Sequence, residues 1–255
     1  MNRPVVQPVF RALHLASCNV ACSDCNLREV CLPVGMSRAD LEKVDRHLVT
    51  ERRPLARGET LFQVGDPFNA LYAVWQGSFK TCISSRDGRD QISGFQMAGE
   101  LLGLDGIGSG RHQADAVALE ASQVCVIPFH ALEALSRELQ SLQQQLHRIM
   151  SREIVRDHGV LLLLGSMHAE ERVAAFLLNL THRLRARGFP DSPVQLRMTR
   201  EEIGSFLGLQ LETVSRAFSR FHAQGLVAVK HRQVQITDPA GLQKLLGGSE
   251  ATAGL

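Results

Sequence analysis

"MTREEIGSFLGLQLETVSRAFSRFHAQGLVAVKHRQVQI", residues 198–236, fixes the reading of the C-terminal part of the chain. Thr199 followed three residues later by Glu202 has the form of a capping box, so a helix is expected to start at Arg200. Ile203, Phe206 and Leu207 give that helix one apolar face, and Gly208 breaks it. A second helix is expected from about Leu211 to Gly225, with Val214, Ala217, Phe218 and Phe221 turned inward. Two short helices joined by a glycine-containing turn make a helix-turn-helix, and "LVAVKHRQVQI" then reads as two short strands about a basic turn, a wing. Gln210 departs from the pattern, standing where Ser, Thr, Asp or Asn would cap the second helix well.

On that second helix Glu212, Ser215, Arg216 and Ser219 lie opposite the apolar face, with Thr213 between them. The chemistry suits base reading in a major groove. Arg216 can donate two hydrogen bonds to guanine, Glu212 can accept from a cytosine amino group, and Ser215 can contact either partner. Arg197, Arg200, Arg220, Lys230 and Arg232 surround the motif and are expected to hold phosphates. Any one of these charges alone would read as a solvated surface group or an intrahelical ion pair. Helix, turn, helix, wing and an outward Glu–Ser–Arg set together read as a DNA-binding element.

Upstream, from about Arg57 to Pro128, short apolar or alternating runs ("TLFQV", "LYAVW", "FKTCI", "QISGF", "VCVIP") alternate with turn signals at "RGE", "VGD", "QGS", "RDGRD" and "MAGE". This pattern predicts an antiparallel sandwich or roll, with Asp87-Gly88 a hairpin turn. From Ala131 to about Met167 the period becomes helical. Leu135, Leu139, Leu142, Leu146 and Ile149 step by four and three, and the stripe continues through Met150, Ile154, Asp157, Leu161 and Leu164. A long helix with one narrow apolar seam suits a second copy of itself, and its N-terminal third could also pack on the β-domain. Asp157 on that seam would face its own copy across a two-fold axis, where like charges repel, so dimerisation is expected to be marginal. The alternative is a polar seam residue that fixes register. "HAEERVAAFLLNLTHRL" reads as a further amphipathic helix ending at Gly188, and the tail "GGSEATAGL" as disordered.

The expected fold class is therefore α+β, with a cysteine-rich arm at 1–35, an antiparallel β-roll at 36–130, a dimerisation helix at 131–167 and a winged helix-turn-helix at 168–255. The 255 residues suffice for two domains with their own cores. A net charge of +2 does not by itself announce nucleic-acid binding, so that reading rests on where the charge sits. Pro4 and Pro8 interrupt any N-terminal signal helix, and the run Val160–Leu164 falls far short of the roughly 20 residues that span a bilayer. The expected compartment is the cytoplasm, without membrane association. No convergent acid–base cluster and no nucleotide-binding glycine loop argue for an enzyme.

Four of the six cysteines fall in "CNVACSDCNLREVC", residues 18–31. In a reducing compartment clustered thiols mark metal binding or redox chemistry more often than disulfides. Cys22-x2-Cys25-x5-Cys31, with Cys125 as a fourth ligand, suits zinc or an iron–sulfur cluster, and the uneven spacing is less typical of zinc knuckles.

The order of β-roll, long helix and winged helix-turn-helix resembles the bacterial regulators related to the cyclic-AMP receptor protein. Members that bind a nucleotide place an Arg-Ser or Arg-Thr pair on its phosphate. Here Gly99-Glu100 keeps the preceding turn, but His112-Gln113 fills the position of the pair, so no cyclic nucleotide is expected. "CSDCNLREVCLP", "LYAVWQGSFK", "ALEASQVCVIPF", "AEERVAAFLLNL" and "MTREEIGSFLGLQLETVSR" resemble, in unbroken order from Cys18 to about Pro239, the oxygen-responsive fumarate and nitrate reduction (FNR) regulators. That resemblance implies that Cys22, Cys25, Cys31 and Cys125 ligate a 4Fe-4S cluster, that Cys18 is a bystander, and that Cys82 is an inert core thiol. It implies that Glu212, Ser215 and Arg216 read palindromic DNA with TTGAT-like half-sites. It also implies a homodimer held while the cluster is intact and lost when oxygen degrades it, with RNA polymerase as a further partner. Dimer contacts are expected from Leu142, Leu146, Ile149, Met150, Ile154, Asp157 and Leu161.

Overall fold

The structure, a computed structural model, describes residues 21–27, 30–48, 51–84, 88, 90–189 and 193–247. Cys18, Asp87 and the tail beyond 247 lie outside the described residues.

A short 3-10 turn at Cys22–Asp24 leads to helix α1, Arg38–His47, which Ser37 caps by accepting a hydrogen bond from the Asp40 N–H at 3.1 Å. Eight strands follow: β1 (Glu51–Leu55), β2 (Thr60–Phe62), β3 (Ala70–Gln76), β4 (Ser78–Ser84), β5 (Asp90–Met97), β6 (Leu101–Leu102), β7 (Asp115–Ala118) and β8 (Ser122–Pro128). They form two antiparallel four-stranded sheets, ordered β1-β8-β3-β6 and β2-β7-β4-β5. Alternation along the strands buries Leu55, Val74, Phe79, Ala116, Ala118 and Val124 between the sheets. Gly77 joins β3 to β4 at positive φ, where an added Cβ would lie 2.1 Å from Ser122 Oγ. That corner accepts only glycine. The strand β1 begins earlier than the sequence pattern predicts, because "ERRPL" carries no apolar alternation and gains its place by pairing with β8.

The long helix expected over 131–167 is two helices. Helix α2 (Phe129–Glu138) and helix α3 (Gln140–Ser166) meet at Leu139, whose backbone is extended at φ −113°, ψ 98°. Leu132, Leu135, Leu139 and Leu142 all sink into the core under β3 and β8, with Leu71, Ala73 and Ile127, so the break falls inside a stripe whose spacing would also suit one straight helix. Leu142 is fully buried in its own chain, which corrects its expected place in a dimer contact. Leu146 and Ile149 also pack against this core. The free part of the stripe starts one turn later, with Met150, Ile154 and Leu161 exposed to 37%, 54% and 66%, beside an exposed Asp157.

Helix α4 (Ala169–Ala186) then carries the chain into the C-terminal unit, made of β9 (Val194–Gln195), α5 (Arg200–Leu207), α6 (Leu211–Ala223), β10 (Val227–Lys230), β11 (Gln233–Ile236) and α7 (Pro239–Leu245). The wing is three-stranded, in the order β10-β11-β9. This unit shares a core with the β-roll, since Ile92, Phe95, Met97 and Leu119 pack with the buried faces of α4, α5 and α6. Phe95, Phe176 and Phe206 form a ring triangle with centroids 5.4–6.1 Å apart.

Four polar ties fasten the same interface. Glu100, only 9% exposed, accepts two hydrogen bonds from Arg183, another from Arg187 and a fourth from the Met97 N–H at 2.9 Å. Lys80 Nζ lies 2.8 Å from Glu202 Oε1, Arg197 lies 3.1 Å from Glu120, and the Ile92 N–H donates to Ser205 Oγ at 3.0 Å. Burial alone would raise the Glu100 pKa, but the guanidinium groups of Arg183, Arg187 and Arg156 outweigh it and hold the carboxyl at about 2.

Candidate functional site

The helix-turn-helix forms as its local signals dictate. Thr199 Oγ1 accepts from the Glu202 N–H at 3.1 Å, and Glu202 Oε2 accepts from the Thr199 N–H at 2.7 Å, which completes the capping box. Gly208 closes α5 in the left-handed conformation, φ 63°. A second glycine matters as much. At Gly204 an added Cβ would meet the Leu209 carbonyl oxygen at 2.6 Å, and the Leu209 N–H donates to the Gly204 carbonyl at 2.9 Å. The turn backbone therefore packs directly on α5. Gln210 starts α6 with no side-chain cap bond.

Helix α6 buries Val214, Ala217, Phe218 and Phe221. Glu212, Arg216, Ser219 and Arg220 are exposed on its other side, while Thr213 and Ser215 are half-buried. Ser219 returns its hydroxyl to the Ser215 carbonyl at 3.0 Å, and Arg220 pairs with Glu170 of α4. Thirteen residues give α6 a length of about 20 Å, a rod that a major groove of about 12 Å width admits. At the wing, Lys230, His231 and Arg232 are exposed, with His231 at φ 56° turning the chain between β10 and β11.

Arg200 is half-buried and packs within its own unit. Its guanidinium lies 3.3 Å over the Phe218 ring, one of its terminal nitrogens is buried without a partner, and burial lowers its pKa to about 10. Arg197 is held by Glu120 and Arg220 by Glu170, whereas Lys230 and Arg232 stand exposed at the wing.

The second site is a cavity beside the β-roll. Cys22, Cys25 and Cys31 reach it from the N-terminal segment and Cys125 from β8, together with Leu27, Leu32, Val44, Leu48, Trp75 and Ile127. Among the described residues no carboxylate or imidazole lines it. Asp45 of α1 holds the approach, accepting hydrogen bonds from the N–H groups of Cys22 and Ser23. Burial, reinforced by Cys31, Asp45 and the other thiols, raises the Cys22 pKa to about 12. Burial does the same to Cys31, also to about 12, against a backbone hydrogen bond from Leu32. Burial raises Cys125 too, while a hydrogen bond and the charge of Arg52 pull it down. Among the described residues no three metal-ligating side chains close on one point. A ligand must therefore draw the thiols together or bridge them with its own atoms. A set of four thiols in apolar surroundings fits a thiophilic metal or an iron–sulfur group. Cys82, half-buried in β4, stands apart from this cavity.

The position expected to grip a nucleotide phosphate is packed with rings. His112 is 1% exposed, stacked on Phe62 at 3.7 Å and set edge-on to Phe68 at 5.6 Å. Gln113 turns outward, its N–H donating to Asp105 at 2.6 Å. Glu100 is likewise committed to α4.

Residues 52–138 match the cyclic nucleotide-binding domain family and residues 171–245 the Crp-like helix-turn-helix domain family. The chain is 50% identical to the transcriptional regulatory protein btr of Bordetella pertussis over 89% of this chain and 93% of that protein. It is 40% identical to the fumarate and nitrate reduction regulatory protein of Escherichia coli K12 over 96% and 98%, and 46% identical to the transcriptional activator protein Anr of Pseudomonas protegens over 89% and 93%. The solved structure of FixK2 from Bradyrhizobium japonicum resembles it with a TM-score of 0.71 at 32% identity, covering 78% of this chain and 98% of that one.

Proposed function

The chain belongs to the Crp/FNR family of transcription regulators, and from that premise we propose that it is an oxygen-responsive, iron–sulfur regulator of anaerobic gene expression. Its relatives are transcription regulators and not enzymes, which removes the cysteine-based redox enzyme as an alternative. DNA binding by the helix-turn-helix follows from the family. The single observation that carries the finer reading is the meeting of Cys22, Cys25 and Cys31 with Cys125 in one cavity lined otherwise by apolar groups and Arg52.

Those four thiols are the ligands we assign to a 4Fe-4S cluster. When bound, the cluster supplies an oxygen-labile crosslink between the N-terminal segment and β8. The chain's own residues do the rest. Cys125 lies on β8, which ends at Pro128 where α2 begins, and α2 is followed across Leu139 by α3. A tie at Cys125 thus steadies the root of the two helices that carry the exposed stripe of Met150, Ile154 and Leu161. Asp157 within that stripe keeps the pairing of two copies marginal, so a modest change at the root decides it. A dimer presents two α6 helices to half-sites one helical turn apart, with Glu212, Ser215 and Arg216 reading bases of TTGAT-like sequence. A monomer loses the joint phosphate and base contacts and with them most of its affinity.

The absence of a cyclic nucleotide from this reading is supported by the stacking of His112 between Phe62 and Phe68. No helix is long and apolar enough to cross a membrane among the described residues, and we place the protein in the cytoplasm with RNA polymerase as its partner. Purification without oxygen, with a visible spectrum, an iron assay and DNA binding measured before and after air, tests the proposal. The expected result is a coloured, iron-containing dimer that loses colour and operator affinity together. A colourless protein containing zinc overturns it.

A further inference from the structure

One half-buried cation sits beside the thiols and has no part in the function above. Arg52 of β1 pairs in register with Cys125 of β8, and Ala73 of β3 pairs with Cys125 from the other side. Trp75, two residues along β3 at a shift in the β3–β8 register, lines the same cavity as Ala73. The guanidinium of Arg52 lies 4.0 Å over the Trp75 ring, its Nε is buried without a partner, and both side chains line the cavity with the four thiols. Burying a guanidinium nitrogen with nothing to accept its proton is costly, and an arginine is placed there at a net gain only if an anion joins it. Among the described residues the cavity lining holds no carboxylate, and the thiols are the groups there that can become anionic.

We infer that Arg52 is a positioning residue for the thiol set, holding a fixed positive charge against Cys125 to offset the negative charge that four thiolates acquire on binding metal. Trp75 is its platform, keeping the planar group in place by stacking. The inference rests on the assignment of Cys22, Cys25, Cys31 and Cys125 as a joint ligand set. Four thiolates around a divalent ion or a doubly charged cluster core leave a net charge of about two minus in a low-dielectric site. A guanidinium there favours the loaded over the metal-free state. It also favours the more reduced state of the bound group, because oxidation removes negative charge from beside a cation.

The test uses the full-length reduced protein with Co2+ as the probe, titrated without oxygen and followed by thiolate-to-cobalt absorbance. Arg52→Gln is expected to weaken Co2+ binding by roughly ten- to a hundred-fold, and Arg52→Lys, which keeps the charge, to recover most of that loss. After iron–sulfur reconstitution, Arg52→Gln is expected to bleach faster than the parent in air. Unchanged Co2+ affinity in Arg52→Gln overturns the inference, as does an Arg52→Lys loss equal to that of Arg52→Gln, since the charge would then be irrelevant. Should Arg52→Gln not fold, Trp75→Leu takes its place, and an affinity equal to the parent's overturns it. A parent protein that binds Co2+ in an Arg52-dependent way yet takes up no iron–sulfur group refutes the cluster assignment and leaves this inference standing.

Discussion

Replacing Glu100 by Gln removes one negative charge from the interface of the β-roll and α4 while keeping the size of the side chain. In the folded protein this carboxylate accepts three hydrogen bonds from Arg183 and Arg187 at 9% exposure. A carboxyl held at about 2 in place of its ordinary 4.5 contributes about 3 kcal/mol at neutral pH. Breaking a buried pair by removing one partner costs about 3–5 kcal/mol, which agrees. The folded pKa lies below the unfolded one. The contribution is therefore fully present above about 4.5 and is lost as the pH falls through about 2. Urea unfolding of the parent and of Glu100→Gln, both reduced and metal-free at one chain concentration, gives the difference at each pH from neutral downward. Every other carboxylate titrates in both proteins and cancels. The expected difference is about 3 kcal/mol at neutral pH, shrinking steadily once the pH passes below the ordinary carboxyl range. A difference that stays constant with pH, or one below about 1 kcal/mol at neutral pH, refutes the assignment of a charge-based lock between the two units.

Arg200→Ala is expected to lower stability through loss of its stack on Phe218 while leaving the salt dependence of DNA binding unchanged. Lys230→Ala should instead reduce the slope of log affinity against log salt by about one, and Arg216→Ala should cost about 1–3 kcal/mol of specific binding. Equal salt slopes for Arg200→Ala and Lys230→Ala would contradict the division between the two residues. Asp157→Ala joins the exposed Ile154 and Leu161 into one apolar stripe, so sedimentation without the cluster should show a dimer where the parent is monomeric. An unaltered monomer–dimer equilibrium removes Asp157 from the account of signalling.

What the sequence made legible was local. Thr199 and Glu202 announce their capping box within four residues, Gly208 its left-handed stop, and the strands their alternation, because each signal and its effect lie within one turn or one hairpin. The break at Leu139 was not legible, since neither Gly nor Pro marks it and the heptad spacing runs straight through. Leu135, Leu139 and Leu142 stay buried under the β-roll on both sides of the break. Arg200 read as a basic group near DNA because its place over Phe218 depends on the packing of α5 on α6. Helix α1 was legible in principle from Ser37 and Asp40 but lay between the cysteines and the strands that drew the reading. The Glu100–Arg183–Arg187 lock and the facing of Arg52 with Cys125 join residues 73–87 positions apart. No window of sequence contains both halves of either.

Glu202 divides its carboxylate between two tasks, with Oε2 on the Thr199 N–H and Oε1 on Lys80 of the β-roll. The oxygen that starts the first helix of the reading motif is not the oxygen that moors this helix to the sensor. Loss of the Lys80 contact therefore leaves α5 capped, so this mooring can be broken without any melting of the reading head itself. Letting go at that point costs only a partly exposed ion pair, about 1 kcal/mol or less. Reorienting the two units would also have to open the apolar core of Ile92, Phe95 and Met97 and the buried arginine contacts to Glu100.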